Sequence, residues 1–421
     1  MVRRARVEGT RDGLAVLDPH GRQPVRICVT GKGGREHALA WAFARAGHDV
    51  VVAPGNPGIP GSTTVGPTEL DADLFVLGPD DHVVEGVGDR LRAQGKLVFG
   101  PNADGGQLEG SKAWMKILLE EAGVPTARFG AFTELAPAKA FMRTLHGAVV
   151  VKTDYLALGK GVLVTDSYAE AVEDATRKLQ HGGIVVEECM TGPEASLFAI
   201  CDGERAVALP VCQDHKRVGD GDTGPNTGGM GAYSPVPFVG DDVVAEAMER
   251  CVLPTLKALQ GRGIDYRGVL YAGLMLTPDG PKIVEYNVRF GDPEAQVLLP
   301  RFASDPAQLL LEAAEGKLRS EPTFTTDAAL TVALCSEGYP AAPRTGDDIA
   351  GLEEAGRVPG VTVFCAGVGP GMVTAGGRVL NVTAVAPTIR EARQRAYDAV
   401  GRISWPGMHH RTDIGTQGVT T

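Results

Sequence analysis

Residues 26–55 read RICVTGKGGREHALAWAFARAGHDVVVAPG, and this stretch sets the fold class. It contains, in order, a short apolar run at 26–30, a glycine-rich turn at 31–34, a segment of helical composition at 36–46 and a second apolar run at 49–53. The same rhythm returns at residues 73–77 and 96–99. Short apolar strands that alternate with helices are typical of a parallel sheet covered on both faces, so we expect an α/β protein.

The composition narrows the class of protein further. The chain has 421 residues, 43% of them hydrophobic, which is enough for two or three domains with substantial cores. It carries 41 basic and 52 acidic side chains, a net charge of −11, which disfavours a nucleic-acid partner. No apolar run of about 18 residues is present, so we expect no membrane span. Seven scattered cysteines without a C-x-x-C pair indicate reduced thiols and a cytoplasmic protein.

The turn at residues 31–36 resembles the dinucleotide fingerprint G-x-G-x-x-G, but Glu36 stands at the sixth position. An acidic residue is also missing at the end of the second strand, which argues against a nicotinamide site and hence against an oxidoreductase. Gly33 and Gly34 still leave backbone N–H groups and a helix N-terminus free to face an anion, and Arg35 adds positive charge. A phosphate-bearing substrate and a plain strand-to-helix turn both fit this motif.

Two further segments carry charged residues at strand ends. Lys152 closes an apolar strand and precedes a loop, 153–161, that lacks the first glycine of a P-loop. Such a lysine can cover nucleotide phosphates, although an exposed hairpin is the simpler interpretation of this segment alone. Glu187 and Glu188 follow the strand at 184–186, and Glu194 comes shortly after. These carboxylates can hold an adenine amino group or ribose hydroxyls, or they form a solvated edge.

Residues 214–231 are the most specific segment, with six glycines in eighteen residues and dense mixed charge. Apolar packing cannot order such a sequence, so we expect a functional loop that contacts anions and metal, with a disordered surface loop as the alternative. Residues 270–276 and 282–289 then predict a hairpin around a Pro-Asp-Gly turn. Alternation along its second strand would place Glu285, Asn287 and Arg289 on one face together with Ile283. The carboxylate and amide oxygens suit Mg²⁺, and Arg289 suits a carboxylate or phosphate.

On these residues the chain resembles the glycinamide ribonucleotide synthetases, a family of the ATP-grasp superfamily. The resemblance runs from about residue 25 to 415 and is carried by the segments 33–38, 53–56, 108–112, 214–235, 287–294 and 376–380. Residues 1–24 form a polar extension that has no counterpart in the family. For the rest the resemblance implies four parts: a Rossmann-like N-terminal substrate-phosphate domain (25–124), a small ATP-grasp subdomain that forms a nucleotide lid (125–190), a central ATP-grasp domain (191–325) and a small C-terminal α/β domain (326–421). We expect its last helix to begin with the capping box at residues 388–391.

The resemblance also implies an activity and roles for particular residues. ATP would activate glycine as an acyl phosphate, which the amine of 5-phosphoribosylamine would attack. Glu285 and Asn287 would bind Mg²⁺ or Mn²⁺, and the catalytic set would be Lys152, Asp214, Arg217 and Arg289. The ATP site would comprise Lys112, Lys116, Lys152, Glu187, Glu188, Cys189, Met190 and Glu194. The substrates would contact Gly33, Gly34, Arg35, Glu36, Asn56, Asp214, Lys216, Arg217, Asn226 and Arg289.

Several residues depart from the family pattern and keep a second hypothesis open. Thr153, Tyr155 and Leu158 replace small residues of the lid loop, and Lys32, Asp80 and Cys365 replace a small polar residue, a glutamate and a histidine. A paralogous ligase that joins a different amino acid or amine is therefore an alternative, and a nucleotide-binding module without turnover is a third. We expect small-molecule substrates, neither nucleic acid nor membrane as partner, and a monomer or small homo-oligomer.

Overall fold

The computed structural model describes residues 24–155 and 161–420. The predicted extension lies, apart from Pro24, outside the described residues, and so does Leu158. The first domain is a parallel sheet of order β2-β1-β3-β4, which confirms the α/β prediction for this region. Its elements and those that follow it are β1 (Arg26–Thr30), α1 (Gly34–Arg45), β2 (Asp49–Ala53), a 3₁₀ turn (Pro67–Glu69), β3 (Leu74–Leu77), α2 (Asp80–Val84), α3 (Val87–Ala93), β4 (Val98–Phe99), α4 (Gln107–Gly110) and α5 (Lys112–Glu121).

A second, antiparallel sheet has the order β5-β8-β6-β7 and carries two helices. Its elements are β5 (Phe129–Phe132), α6 (Leu135–Met142), β6 (Val149–Thr153), β7 (Val162–Thr165), α7 (Tyr168–Leu179) and β8 (Ile184–Glu188). Val149 and Val151 pack into a small apolar cluster with these helices, separate from the main core. Side chains alternate along a strand, so Val150 and Lys152 point to the opposite face.

The central sheet is also antiparallel, with the order β10-β9-β15-β16. This region contains β9 (Glu194–Asp202), β10 (Ala206–Ala208), β11 (Gln213–Asp214), β12 (Arg217–Gly219), β13 (Thr223–Asn226), β14 (Gly231–Ser234), α8 (Asp241–Ala247), a π-helical turn (Met248–Val252), α9 (Leu253–Gly261), β15 (Arg267–Thr277), β16 (Gly280–Asn287), α10 (Ala295–Leu298), a 3₁₀ turn (Leu299–Arg301) and α11 (Pro306–Ala314). The predicted hairpin is confirmed as β15 and β16.

One detail of that hairpin was predicted wrongly. Gly273 pairs with Glu285, but the next residue, Leu274, pairs with Ile283, so Val284 is an extra residue in β16. Residues paired across two strands point to the same face of the sheet, whereas neighbours along one strand point to opposite faces. Because Gly273 and Leu274 are neighbours, their partners Glu285 and Ile283 point to opposite faces, and not to one face as predicted. Ile283 is fully buried, whereas Glu285 and Asn287 face the cleft.

The C-terminal sheet has the order β11-β14-β17-β21-β18, so two of its strands come from the glycine-rich segment. The later elements are β17 (Ala328–Cys335), α12 (Leu352–Gly356), β18 (Val361–Cys365), β19 (Val368–Gly369), β20 (Val373–Thr374), β21 (Arg378–Ala386), α13 (Ile389–Val400) and α14 (Thr416–Thr420). The N-cap is confirmed at α13, where Thr388 accepts a hydrogen bond from the Glu391 N–H and donates to the Glu391 carboxylate, although α14 follows as the last helix. Within the described ranges, no helix combines the length and apolarity needed to cross a membrane.

The joint between the glycine-rich segment and the C-terminal sheet leaves no room for a side chain at Gly231. A Cβ atom there would lie 2.6 Å from the Thr331 carbonyl oxygen and 2.9 Å from the Ile414 side chain. We expect Gly231→Ala to lower the free energy of unfolding by about 1–3 kcal/mol, measured by urea denaturation. Gly261→Ala is the control, because a Cβ there meets nothing within 4 Å; equal stability of the two variants would contradict the prediction.

Candidate active site

A cleft of about 1060 Å³ opens where the two antiparallel sheets face each other and meet the N- and C-terminal domains. Most of the predicted site residues line it: Arg35, Lys112, Lys152, Glu187, Glu188, Cys189, Met190, Glu194, Asp214, Lys216, Arg217, Asn226, Glu285, Asn287 and Arg289. The cleft lining does not include five predicted site residues, Gly33, Gly34, Glu36, Asn56 and Lys116. The tertiary structure therefore brings together residues more than 250 positions apart.

Two lysines share a single carboxylate, Glu187, where the β5-β8-β6-β7 sheet borders the cleft. Lys152 Nζ lies 2.9 Å from one oxygen of Glu187, and Lys116 Nζ lies 3.2 Å from the other. Burial would raise the pKa of Glu187, but both lysines outweigh it and hold the pKa below its usual value. Burial also lowers the pKa of the fully buried Lys116 to about 8, against the opposing effect of Glu187. With both lysines protonated the trio carries net positive charge, and Lys152 can present it to an anion in the cleft.

A second charged group lies at the end of β16. Lys216 Nζ lies 3.4 Å from Glu285 Oε1 and 3.6 Å from Glu194 Oε2. The Lys216 ammonium lowers the pKa of Glu285 to about 2, so this carboxylate stays ionised at neutral pH. Burial, together with neighbouring carboxylates, raises the pKa of Asp214 to about 7 despite the opposing effect of Lys216. Anionic and cationic groups thus alternate across this part of the cleft.

The side-chain oxygens of Glu285 and Asn287 are suited to a hard divalent cation whose other ligands are water and substrate phosphates. No group of three or more His, Cys, Asp or Glu side chains suited to a metal occurs in the part of the chain that the structure describes. Glu285 and Asn287 offer one carboxylate and one amide oxygen, both on the cleft face of β16. Mg²⁺ is commonly held by one or two protein oxygens while water and substrate phosphates complete its shell.

Arg289 is held by a residue that the sequence reasoning assigned no role. Its Nη2 donates to Glu109 Oε1 at 2.5 Å and to Asn287 Oδ1 at 3.1 Å. The second oxygen of Glu109 accepts the backbone N–H of Val288 at 2.9 Å. Burial would lower the pKa of Arg289, but Glu109 raises it, so the guanidinium remains charged. The signal for Glu109 was its position in the matching segment 108–112.

The glycine loop is largely occupied by its own contacts. Glu36 accepts the Gly33 N–H at 2.5 Å with one oxygen and binds Arg35 Nε at 2.6 Å with the other. Arg35 also donates to the Phe290 carbonyl, and Asn56 donates to two backbone carbonyls. Of the residues predicted to bind the ribose phosphate, Arg35 lines the cleft, while the others shape the loop behind it.

The C-terminal domain adds a wall that the site prediction left out. Arg378 donates to the carbonyls of Gly228 and Asp292, at 2.8 and 2.6 Å, and lies 3.4 Å from the Asp292 carboxylate. Tyr339 accepts the Gly228 N–H at 3.1 Å. Arg378 belongs to the matching segment 376–380, so its place in the motif was the available signal.

The residues that differ from the family pattern lie in different parts of the structure. Asp80 lines the cleft, and Tyr155 packs near Gly182, where an added Cβ would lie 3.4 Å from its ring. Cys365 is buried and its backbone N–H donates to His37 Nδ1 at 2.8 Å. Lys32 is exposed and Thr153 is buried.

A cleft between two antiparallel sheets, with the buried Lys152 on one and the ionised Glu285 on the other, is the arrangement of an ATP-grasp ligase. Three family models match the chain: the phosphoribosylglycinamide synthetase N domain at residues 25–109, the ATP-grasp (A) domain at 110–295 and the C domain at 329–417. The chain belongs to the phosphoribosylglycinamide synthetase family, and it is an ATP-dependent ligase. The family and the fold class expected from the sequence are both confirmed.

Individual relatives agree with this assignment. Phosphoribosylamine–glycine ligase of Escherichia coli (strain K12) is 44% identical over 429 residues, spanning 94% of this chain and 99% of the relative. The protein of the same name from Mesorhizobium japonicum is 44% identical over 94% of this chain and 99% of its own length. The crystal structure of phosphoribosylamine–glycine ligase from Thermotoga maritima matches with a TM-score of 0.83 and 35% identity, covering 92% of this chain and 100% of that chain.

The contacts of Glu109 predict that it positions Arg289. We expect Glu109→Gln to lower kcat about tenfold or more, because a buried guanidinium that loses its anionic partner shifts from its place. Steady-state kinetics with ATP varied will measure kcat and KM. Glu120→Gln, on the exposed side of the neighbouring helix, is the control. A wild-type kcat for Glu109→Gln would show that Arg289 does not depend on this contact.

Proposed function

We propose that this protein joins glycine to 5-phosphoribosylamine at the expense of ATP, giving glycinamide ribonucleotide, ADP and phosphate, as a step of de novo purine biosynthesis. The observation that carries the proposal is that one cleft brings together the Glu187–Lys152 pair, backed by Lys116, the Glu285–Asn287 pair, and Arg289 and Arg35. These groups suit a nucleotide, a divalent cation and a phosphorylated acceptor. The relatives' names supply the particular substrates.

For ATP, Lys152 would neutralise phosphate charge while Glu187 fixes the position of the lysine. The segment 187–190, with Glu188, Cys189 and Met190, would frame the adenine, and Glu194 and Lys112 complete the lining on that side. Lys116 is buried behind Glu187, so we assign it to holding that carboxylate. Glu285 and Asn287 would hold Mg²⁺ or Mn²⁺, which when bound neutralises charge on the transferring phosphoryl group.

For the amino acid, Asp214 would accept hydrogen bonds from its ammonium group, and Lys216, Arg217 and Arg289 would attract its carboxylate. A carboxylate oxygen attacks the terminal phosphorus of ATP, ADP leaves, and an acyl phosphate forms. The amine nitrogen then attacks the acyl carbon, the C–O bond to phosphate breaks, and the nitrogen loses a proton. These cations oppose the charge that develops, which is the main contribution expected of a protein in phosphoryl transfer.

For the acceptor, Arg35 at the first turn of α1 would bind the phosphate of the ribosylamine. The helix N-terminus favours an anion at this end of the cleft. Asn226 lines the same cleft from the glycine-rich hairpin and can donate to a substrate. Gly33, Gly34, Glu36 and Asn56 would act by shaping the loop that carries Arg35.

A paralogous ligase with a different amino acid or amine remains the second candidate, because Asp80 in the cleft and Tyr155 in the lid depart from the family pattern. The seven cysteines are free thiols, which supports a cytoplasmic location. We propose a monomer or a small homo-oligomer.

The proposal is tested by a substrate screen. We expect ADP release with glycine and phosphoribosylamine, a product of matching mass, and far less ADP with other amino acids or amines.

We expect Glu285→Gln to lower kcat about 100-fold or more, because the site loses an anionic metal ligand, and to weaken Mn²⁺ binding measured by electron paramagnetic resonance. The exposed Glu249→Gln serves as control. Turnover only with another pair of substrates would establish the paralogue, and unchanged kcat in Glu285→Gln would refute the metal site.

The raised pKa of Asp214 predicts a pH dependence. Below about pH 7 this carboxyl becomes protonated and loses the charge that would attract the glycine ammonium. We therefore expect kcat/KM for glycine to fall about tenfold per pH unit on the acid side, since this parameter reports the free enzyme. Asp214→Asn should lower the plateau and remove this acid limb, while kcat/KM for ATP provides an internal comparison. A profile flat between pH 5.5 and about 7 would contradict this role.

A further inference from the structure

The hairpin of β12 and β13 forms one wall of the cleft through Arg217, Asp222 and Asn226. Val218 is the one large apolar side chain within residues 217–226. Apolar packing therefore contributes little to the order of this hairpin. Contacts with residues 409–413, which we call the C-terminal clasp, hold it in place.

Arg411 is the centre of this clasp and is only 1% exposed. Its Nε and Nη2 donate to the two carboxylate oxygens of Asp413, both at 2.7 Å. Its Nη1 reaches the hairpin, donating to Asp222 Oδ1 at 2.7 Å and to the Arg217 carbonyl at 3.1 Å. A buried, bidentate pair of this kind fixes direction as well as distance.

Other clasp residues bind the same hairpin. Asp413 Oδ2 accepts the Gly221 N–H at 2.8 Å, Asp220 Oδ1 accepts the Thr412 N–H at 2.8 Å, and His409 Nε2 lies 2.9 Å from the Val218 carbonyl oxygen. Asp222 is held with a φ of +55°, a left-handed conformation that costs free energy for most side chains, and its bond to Arg411 offsets that cost.

The clasp is itself fixed to the C-terminal domain. His409 exchanges backbone hydrogen bonds with Cys335 of β17, and Tyr397 of α13 donates to the Arg411 carbonyl at 2.8 Å. The position of the hairpin is therefore set by a clasp that follows it by nearly 200 residues and is anchored in the C-terminal domain.

We propose that residues 409–413 are a positioning element of the ligase site, in which Arg411 holds the glycine-rich hairpin so that Arg217 faces the cleft. Arg411 is a positioning residue, since it acts on the substrate through the backbone of Arg217. The inference rests on the proposed function for its kinetic consequence, but the order of the hairpin can be measured without any substrate.

The test uses the full chain with Arg411→Lys, which keeps the charge but loses the planar fork, and Asp222→Asn. The Asp222 side chain is 56% exposed, and asparagine tolerates a positive φ, so the second variant leaves the fold intact. We expect faster hydrogen–deuterium exchange in peptides covering 217–226 and unchanged exchange in the β-sheets. We also expect KM for glycine to rise about tenfold, with KM for ATP within about twofold.

Arg357→Lys and Glu353→Gln are matched controls, because this exposed ion pair on α12 lies 3.1 Å apart and shares no contact with the hairpin. Unchanged exchange in both Arg411→Lys and Asp222→Asn would overturn the proposal, as would faster exchange across the whole C-terminal domain with no selective change in KM. An inactive wild-type protein would count against the proposed function alone, because the exchange result stands without turnover.

Discussion

The arrangement of the site depends on one buried carboxylate between two buried lysines. Glu187 belongs to β8, Lys152 to β6 and Lys116 to α5. A single set of ion pairs therefore joins both central strands of the β5-β8-β6-β7 sheet to the preceding helix. Lys152 Nζ also lies 3.2 Å from the Val284 carbonyl of β16. Removing Glu187 would leave two buried ammonium groups without their shared carboxylate, so the trio depends most on this residue.

The same constraint extends to the strand that carries Glu285 and Asn287. Lys116 donates to Thr126, and the Thr126 hydroxyl donates to the Ile283 carbonyl at 2.7 Å. The Ile283 N–H in turn donates to the Pro125 carbonyl at 2.8 Å. The bulge at Val284 lies between these bonds and Glu285. Val284 has no partner on β15, and its carbonyl accepts a hydrogen bond from Lys152 instead. Backbone irregularity and side-chain charge thus act together to aim the pair of oxygen donors.

The cleft concentrates cationic side chains, together with carboxylates, although the molecule as a whole is acidic. The chain is acidic, with a net charge of −11, yet Arg35, Lys112, Lys152, Lys216, Arg217, Arg289 and Arg378 all line one cavity. Several of them are paired with Glu187, Glu285 or Glu109, which fixes their geometry and leaves their protons available to a bound anion. The acidic overall composition disfavours nucleic acid as partner, but it gave no indication of this concentration of cations.

The sequence alone determined the strand–turn–helix rhythm of the first domain, the hairpin of β15 and β16, the cap of α13 and the family, because each depends on residues close in the chain or on a motif. The strand alternation that carried this reasoning failed at Ile283, since an extra residue reverses the faces of a strand and leaves no mark on composition. The roles of Glu109, Arg378 and Arg411 were decided only by the tertiary structure. Each binds a segment distant in sequence, and a hydrogen bond across 150 to 190 residues has no local pattern from which it could be predicted.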